Sequence, residues 1–140
     1  MVELIIVMVV MGVLAAVAMP RLTDRRALQE RGFIDQLRAF LQYSRKVALV
    51  QRREVCVQQL VPGVVSAVYA PVGGPCDPAR PVATPGETAP FSIPVPSGVI
   101  LGGAALVRFN AAGQPTPNAN QVISVGGNNL TVSRETGIVF

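Results

Sequence analysis

Glu3 is the one ionisable side chain in the first twenty residues. Sixteen residues follow it, Leu4 to Met19, with no charge and no strong hydrogen-bonding side chain. A carboxylate at such a place costs about 3 kcal/mol in lipid and marks a function. Left unpaired in an apolar medium it carries a large penalty. The chemistry this position offers is ion pairing. Two further residues can react: Cys56 and Cys76, in a chain with no histidine. Two thiols without histidine do not make a structural zinc site, which needs four ligands. They leave two readings, a disulfide or a pair of reduced, buried thiols. The disulfide is the simpler one in an oxidising compartment, closing a loop worth about 3 kcal/mol by chain entropy.

Other chemistries lack their parts. The absence of histidine removes Ser-His and Cys-His nucleophiles. No glycine-rich loop ends in Lys-Ser or Lys-Thr, and the scattered acids form no pairs. The expectation is a protein that is not an enzyme and needs neither metal nor cofactor. Asn129-Leu130-Thr131 matches a glycosylation sequon, read here as chance.

Three segments must position these residues. Residues 1–20 form an apolar helix, uniform around its circumference as lipid or a buried helical bundle requires, and Pro20 ends or kinks it. Leu4 to Met19 spans roughly 24 Å as a helix, slightly short of the about 20 residues of a full membrane crossing. Residues 21–54 form an amphipathic helix. Phe33, Leu37, Phe40, Leu41 and Ala48 share one face, with Leu28, Ile34 and Val47 nearby, while Arg31, Asp35, Arg38, Arg45 and Lys46 fill the other. Gly32 is the weakest point of that pattern, where a bend is expected. Residues 55–140 read as a β-rich domain. Val55–Val61 and Val64–Ala70 flank the turn Pro62-Gly63. Most of the twelve prolines lie in residues 71–98, a long loop that Cys76 would staple to the first strand. Further strands are expected at 91–93, 99–101, 105–109, 121–125, 130–133 and 138–140, with turns at Asn110–Gly113 and Gly126–Asn129. The fold class is α+β, a long N-terminal helix packed on a small antiparallel sheet.

This order of parts resembles the type IV pilins, including the pseudopilins of type II secretion. The resemblance rests on Val2-Glu3-Leu4-Ile5-Ile6-Val7, Gly12-Val13-Leu14-Ala15-Ala16 and Met19-Pro20. Residues 43–57, Val107–Gly113 and Leu130–Val139 are similar to the GspH/FimT group, and Glu30–Asp35 to MSHA-type minor pilins. The signature's Gly, Phe and Thr are missing, and Met1 stands where the family has Leu. The resemblance therefore implies a longer precursor, with a basic leader that a prepilin peptidase removes before N-terminal methylation. It also implies a single-pass inner-membrane protein with a periplasmic domain, later part of a pilus or pseudopilus with other pilin subunits. Glu3 and Pro20 are the assembly residues. A neighbour's N-terminal ammonium neutralises Glu3 and fixes axial register, as a buried polar pair can.

Four readings compete with this one. Residues 1–18 read as a secretory signal peptide would be cleaved at Ala16-Val17-Ala18, but carry Glu3 instead of basic residues. A plain membrane anchor would make Glu3 incidental. A major pilin would need many identical lateral contacts. A DNA-binding pilin would need clustered, uncompensated cations. Residues 1–54 carry nine basic and five acidic side chains, and residues 55–140 carry three of each. Asp24, Glu30, Asp35 and Glu54 offset the helix, and the C-terminal segment offers only Arg134 beside Glu135, so nucleic acid is not the expected partner. Arg21, Arg25 and Arg26 conflict with the pilin topology under the positive-inside rule, unless a basic leader competes with them.

Overall fold

A computed structural model describes the backbone of residues 2–18, 20–104 and 106–140. Met1, Met19, Ala105 and the side chains of residues 16–26 and 106 lie outside the described set. The Met19-Pro20 junction, the Ala16-Val17-Ala18 reading and the Arg21, Arg25, Arg26 cluster fall among these. Two helices lead, α1 (Val2–Ala18) and α2 (Pro20–Gln51). Eight strands follow among the described residues: β1 (Glu54–Val61), β2 (Val64–Ala70), β3 (Ser92–Pro94), β4 (Leu101–Gly103), β5 (Leu106–Phe109), β6 (Pro115–Thr116), β7 (Gln121–Val125) and β8 (Asn128–Val132). They form two antiparallel sheets, in the orders β3-β2-β1-β5-β6 and β4-β7-β8. The architecture is α+β.

Helix α2 lies over both sheets because its apolar residues recur at helical period. Phe33, Leu37, Phe40, Leu41, Val47 and Ala48 are buried and meet Val55, Val57, Val65, Ala67, Val107 and Phe109 of the larger sheet. Ile123, Val125, Leu130 and Val132 complete the core from the smaller one. Ser44 sits inside this stripe with its hydroxyl donating to the Phe40 carbonyl at 2.9 Å, so its burial leaves no orphan group. Leu28 departs from expectation: it is exposed, one turn before the core begins at Phe33. The helix stays α-helical through Gly32. It ends in a Schellman arrangement, with the Arg53 amide donating to the Ala48 carbonyl and Arg52 in the left-handed region.

Strand β4 belongs to the small sheet and β5, two residues later, to the large one. Gly103 sits at this change of sheet with a positive φ, and a Cβ there would overlap the Val122 carbonyl. Gly137 is equally constrained, because a Cβ would strike the Gly113 carbonyl.

Some strands sit elsewhere than expected. β3 is displaced by one residue and β4 by two, where prolines and glycines blur the alternation. The second hairpin turns on Gly126-Gly127 alone, and Asn128 and Asn129 pair with Val125 and Ser124. A two-residue turn suits twisted strands, and that requirement outweighs the low strand propensity of Asn. Ile138–Phe140 forms no full strand. It adds a bridge from Val139 to Val132 and a reciprocal pair of hydrogen bonds between Thr131 and Phe140. β6 has only two residues and was too short to be legible in the pattern.

Cys56 and Cys76 are joined by a disulfide across a sequence separation of 20. Along β1, Val55 and Val57 face the core, so Cys56 faces the opposite side, where it packs with Val68 and Ala70. The bond holds the start of the proline-rich segment on that outer face. Replacing both cysteines with serine should lower stability by about 3 kcal/mol, the loop-entropy value for this length. Chemical denaturation of the variant against the oxidised chain measures it, and a difference below about 1 kcal/mol would show that the loop is held by other contacts.

Candidate functional site

Among the described residues no side chain of helix α1 is buried against the rest of the chain. Every described side chain from Val2 to Ala15 is exposed, and the large apolar ones range from 51% for Val7 to 71% for Val2. No face of the helix is spared for packing on the β-domain. An apolar surface of this extent on one chain marks a contact with something else. Among the described residues no helix is long and apolar enough to cross a membrane. The 17 residues of α1 fall just short of such a span. Glu3 lies in its first turn, exposed. In the isolated chain water therefore solvates the carboxylate, and the penalty of burial arises only when other apolar surface closes over α1. The side chain of Pro20 lies outside the described set, and its backbone is the first described residue of α2.

The outer face of the large sheet carries the second constellation, at the far end of α2. Arg108 follows Val107 in β5 and points away from the core, opposite Cys56 in the β1 ladder. Its Nη1 lies 3.3 Å from Glu54 Oε2. Its Nη2 donates to the Gly74 carbonyl and lies 3.6 Å from Cys76 Sγ. Only 16% of the Arg108 side chain and 12% of Glu54 remain exposed. One guanidinium thus ties together β1, β5 and the disulfide loop. Glu54 is consequently not available to offset the basic face of α2, contrary to expectation. The sequence signal for Arg108 was present but weak: a single cation between two core residues of a strand must share its face with Cys56. On the opposite, helix-side face of the same sheet, burial pushes the Tyr69 phenol up, against the Gln51 hydrogen bond and the Arg53 charge. Arg53 lies 5.9 Å from the centre of the Tyr69 ring.

Between the two sheets runs a cleft of about 230 Å³, lined by Leu37, Val57, Val65, Val107 and Ile123 with Gln58 and Gln59. No titratable group lines it. It provides no acid, base or nucleophile for chemistry. Two surface features remain as candidates: the apolar helix with Glu3, and the clamped loop.

No protein-family model and no curated protein matches the chain. Two solved structures do, both of the type IV minor pilin FimU of Pseudomonas aeruginosa. The first, in space group P21, is 18% identical, covers 84% of this chain and 90% of that one, and gives a TM-score of 0.58. The second, in space group P65, is 20% identical, covers 76% and 86%, and gives 0.55. At these identities the likeness speaks for the backbone arrangement alone. An N-terminal apolar helix, a second helix laid over antiparallel sheets and this match together identify the chain as type IV pilin-like in fold.

Proposed function

We propose that the chain is a structural subunit of a type IV pilus or type II secretion pseudopilus, a minor pilin or pseudopilin that assembles through α1. One observation carries this reading. Helix α1 is apolar and exposed over its whole described length, with a single carboxylate in its first turn. A helix with such a surface is stable only in lipid or among other apolar helices. On this reading α1 holds the subunit at the inner membrane before assembly and enters the filament core afterwards. Glu3 then meets the N-terminal ammonium of a neighbouring subunit, released when the prepilin peptidase trims a longer precursor. Pro20 starts the second helix and sets how the β-domain hangs from the core. The β-domain, with its outer face stapled by the disulfide, faces outward.

The direct test is composition. Filaments sheared from cells that make this protein and purified should contain the chain in small amounts, detected by mass spectrometry. A chain found solely in the membrane fraction of cells with assembled filaments would sink the proposal. One that forms the bulk of the filament would make it a major subunit.

A further inference from the structure

Arg31, Arg38, Arg45 and Arg52 stand seven residues apart along the second helix and its cap. Seven residues make nearly two helical turns, so Arg31, Arg38 and Arg45 lie in one row at about 10.5 Å spacing, roughly 21 Å long, and Arg52 continues it at the cap, just past the last helical residue. The row drifts by about 20° per step. It runs beside the buried stripe, on the flank that carries Ile34 and Leu41. Arg31 and Arg52 are exposed, and Arg38 keeps 41% of its side chain in solvent. Among the described residues, Arg38 alone of the four has a carboxylate within reach, Asp35 at 3.4 Å, itself 76% exposed. The Arg38 Nε is buried with no hydrogen-bond partner. Arg45 donates through Nε to the Gly113 carbonyl at 3.3 Å, which fixes its stem and leaves the two terminal nitrogens of its fork without a hydrogen bond. Arg53, by contrast, is spent on Tyr69.

Arg52 adds an independent observation. Its φ is +50°, the one positive value outside glycine among the described residues. A side chain there costs about 1 kcal/mol against the glycine that helix ends favour. The position keeps arginine where glycine would be the more stable residue. A cation at a helix C-terminus recovers part of that cost, but the same benefit is available from Arg53, next in the chain.

We infer that this row docks a helix of a different, acidic subunit bearing carboxylates at seven-residue spacing. A straight row with a 10.5 Å repeat matches another α-helix by construction, with each fork facing one carboxylate. Nucleic acid fits poorly, since duplex phosphates advance about 3.4 Å per step along each strand and curve away from a straight rod. A second copy of this chain fits poorly too. Asp24, Glu30 and Asp35, the acids of α2, are six and five residues apart. The inference rests on the filament-subunit reading and names the kind of neighbour it requires.

The test uses the full chain in mild detergent at 0.15 M salt. Two synthetic 28-residue helical peptides of identical composition are compared, each with four Glu, spaced seven residues apart in one and five apart in the other. The seven-spaced peptide should bind about tenfold tighter, as several exposed pairs acting together provide. The Arg31→Gln, Arg52→Gln double variant should erase that preference, and Arg80→Gln should not. Arg52→Gly should raise the melting temperature yet weaken the seven-spaced peptide, a split that a purely structural arginine would not produce. Equal binding of the two peptides would overturn the inference. So would a 20-base-pair duplex that binds as tightly as the seven-spaced peptide, which would make the row a phosphate-binding surface. Because the isolated chain is used, this result can fail while filament incorporation is confirmed, and the reverse.

Discussion

Glu3→Ala should remove the chain from filaments while leaving the β-domain folded. Glu3 is exposed in the isolated chain, and so is every described side chain of α1, from Val2 to Ala15. The substitution therefore touches nothing in the core formed by Phe33, Phe40, Val107 and Phe109. Thermal unfolding of the β-domain should be unchanged. In a filament the situation reverses. Once apolar helices surround position 3, deleting the carboxylate leaves the opposing ammonium buried alone, at about 3–5 kcal/mol. That is a loss of incorporation of at least about a hundredfold. Glu3→Gln should behave almost as badly, because an amide retains the shape and a hydrogen bond but not the charge. Incorporation is measured as the ratio of variant to wild-type chain in sheared filaments from cells expressing both. Alanine at wild-type levels would mean that position 3 meets no buried positive charge, and the pairing mechanism would be wrong.

The elements of this fold differ in how far the sequence reveals them. The face of α2 was legible because a 3.6-residue period repeated over four turns, from Phe33 to Ala48, leaves few alternatives. The first hairpin was legible because Pro62-Gly63 separates two runs of β-branched residues. Helix α1 was legible from its uniformity. The short strands were not. β3, β4 and β6 have three, three and two residues, too few to show a period of two, and their positions follow from the strands beside them. The outer-face clamp was hidden for a different reason. Glu54, Gly74 and Arg108 are far apart in sequence, and only the β1–β5 register brings Arg108 opposite Cys56. Charge counted by segment assigned Glu54 to the helix it follows. Register assigned it to a strand partner 54 residues away.

That clamp supports the second large effect. Arg108→Met should destabilise the β-domain by about 3 kcal/mol, the lower end of the range for breaking a buried pair, since some solvent still reaches both groups. Methionine retains most of the apolar stem, so the loss falls on the guanidinium. Without it the Glu54 carboxylate stays largely enclosed with no cation, and the Gly74 carbonyl loses its donor. The disulfide still tethers Cys76, so the loop should loosen without detaching: amide exchange at residues 71–76 should quicken well before the core strands respond. Glu54→Gln combined with Arg108→Met should recover part of the loss, because the stranded charge is gone and only two neutral groups need partners. Denaturant unfolding of the two singles and the double closes that cycle. If the single variant loses less than about 1 kcal/mol and the double recovers nothing, the ion pair is incidental and the disulfide alone holds the outer face. The larger loss with partial recovery would instead mean that the outer surface of this domain is fixed twice, covalently at Cys56 and electrostatically at Arg108. On the proposed filament reading, a subunit that must present one shape to its neighbours gains from both, because each constraint covers a part of the loop the other leaves free.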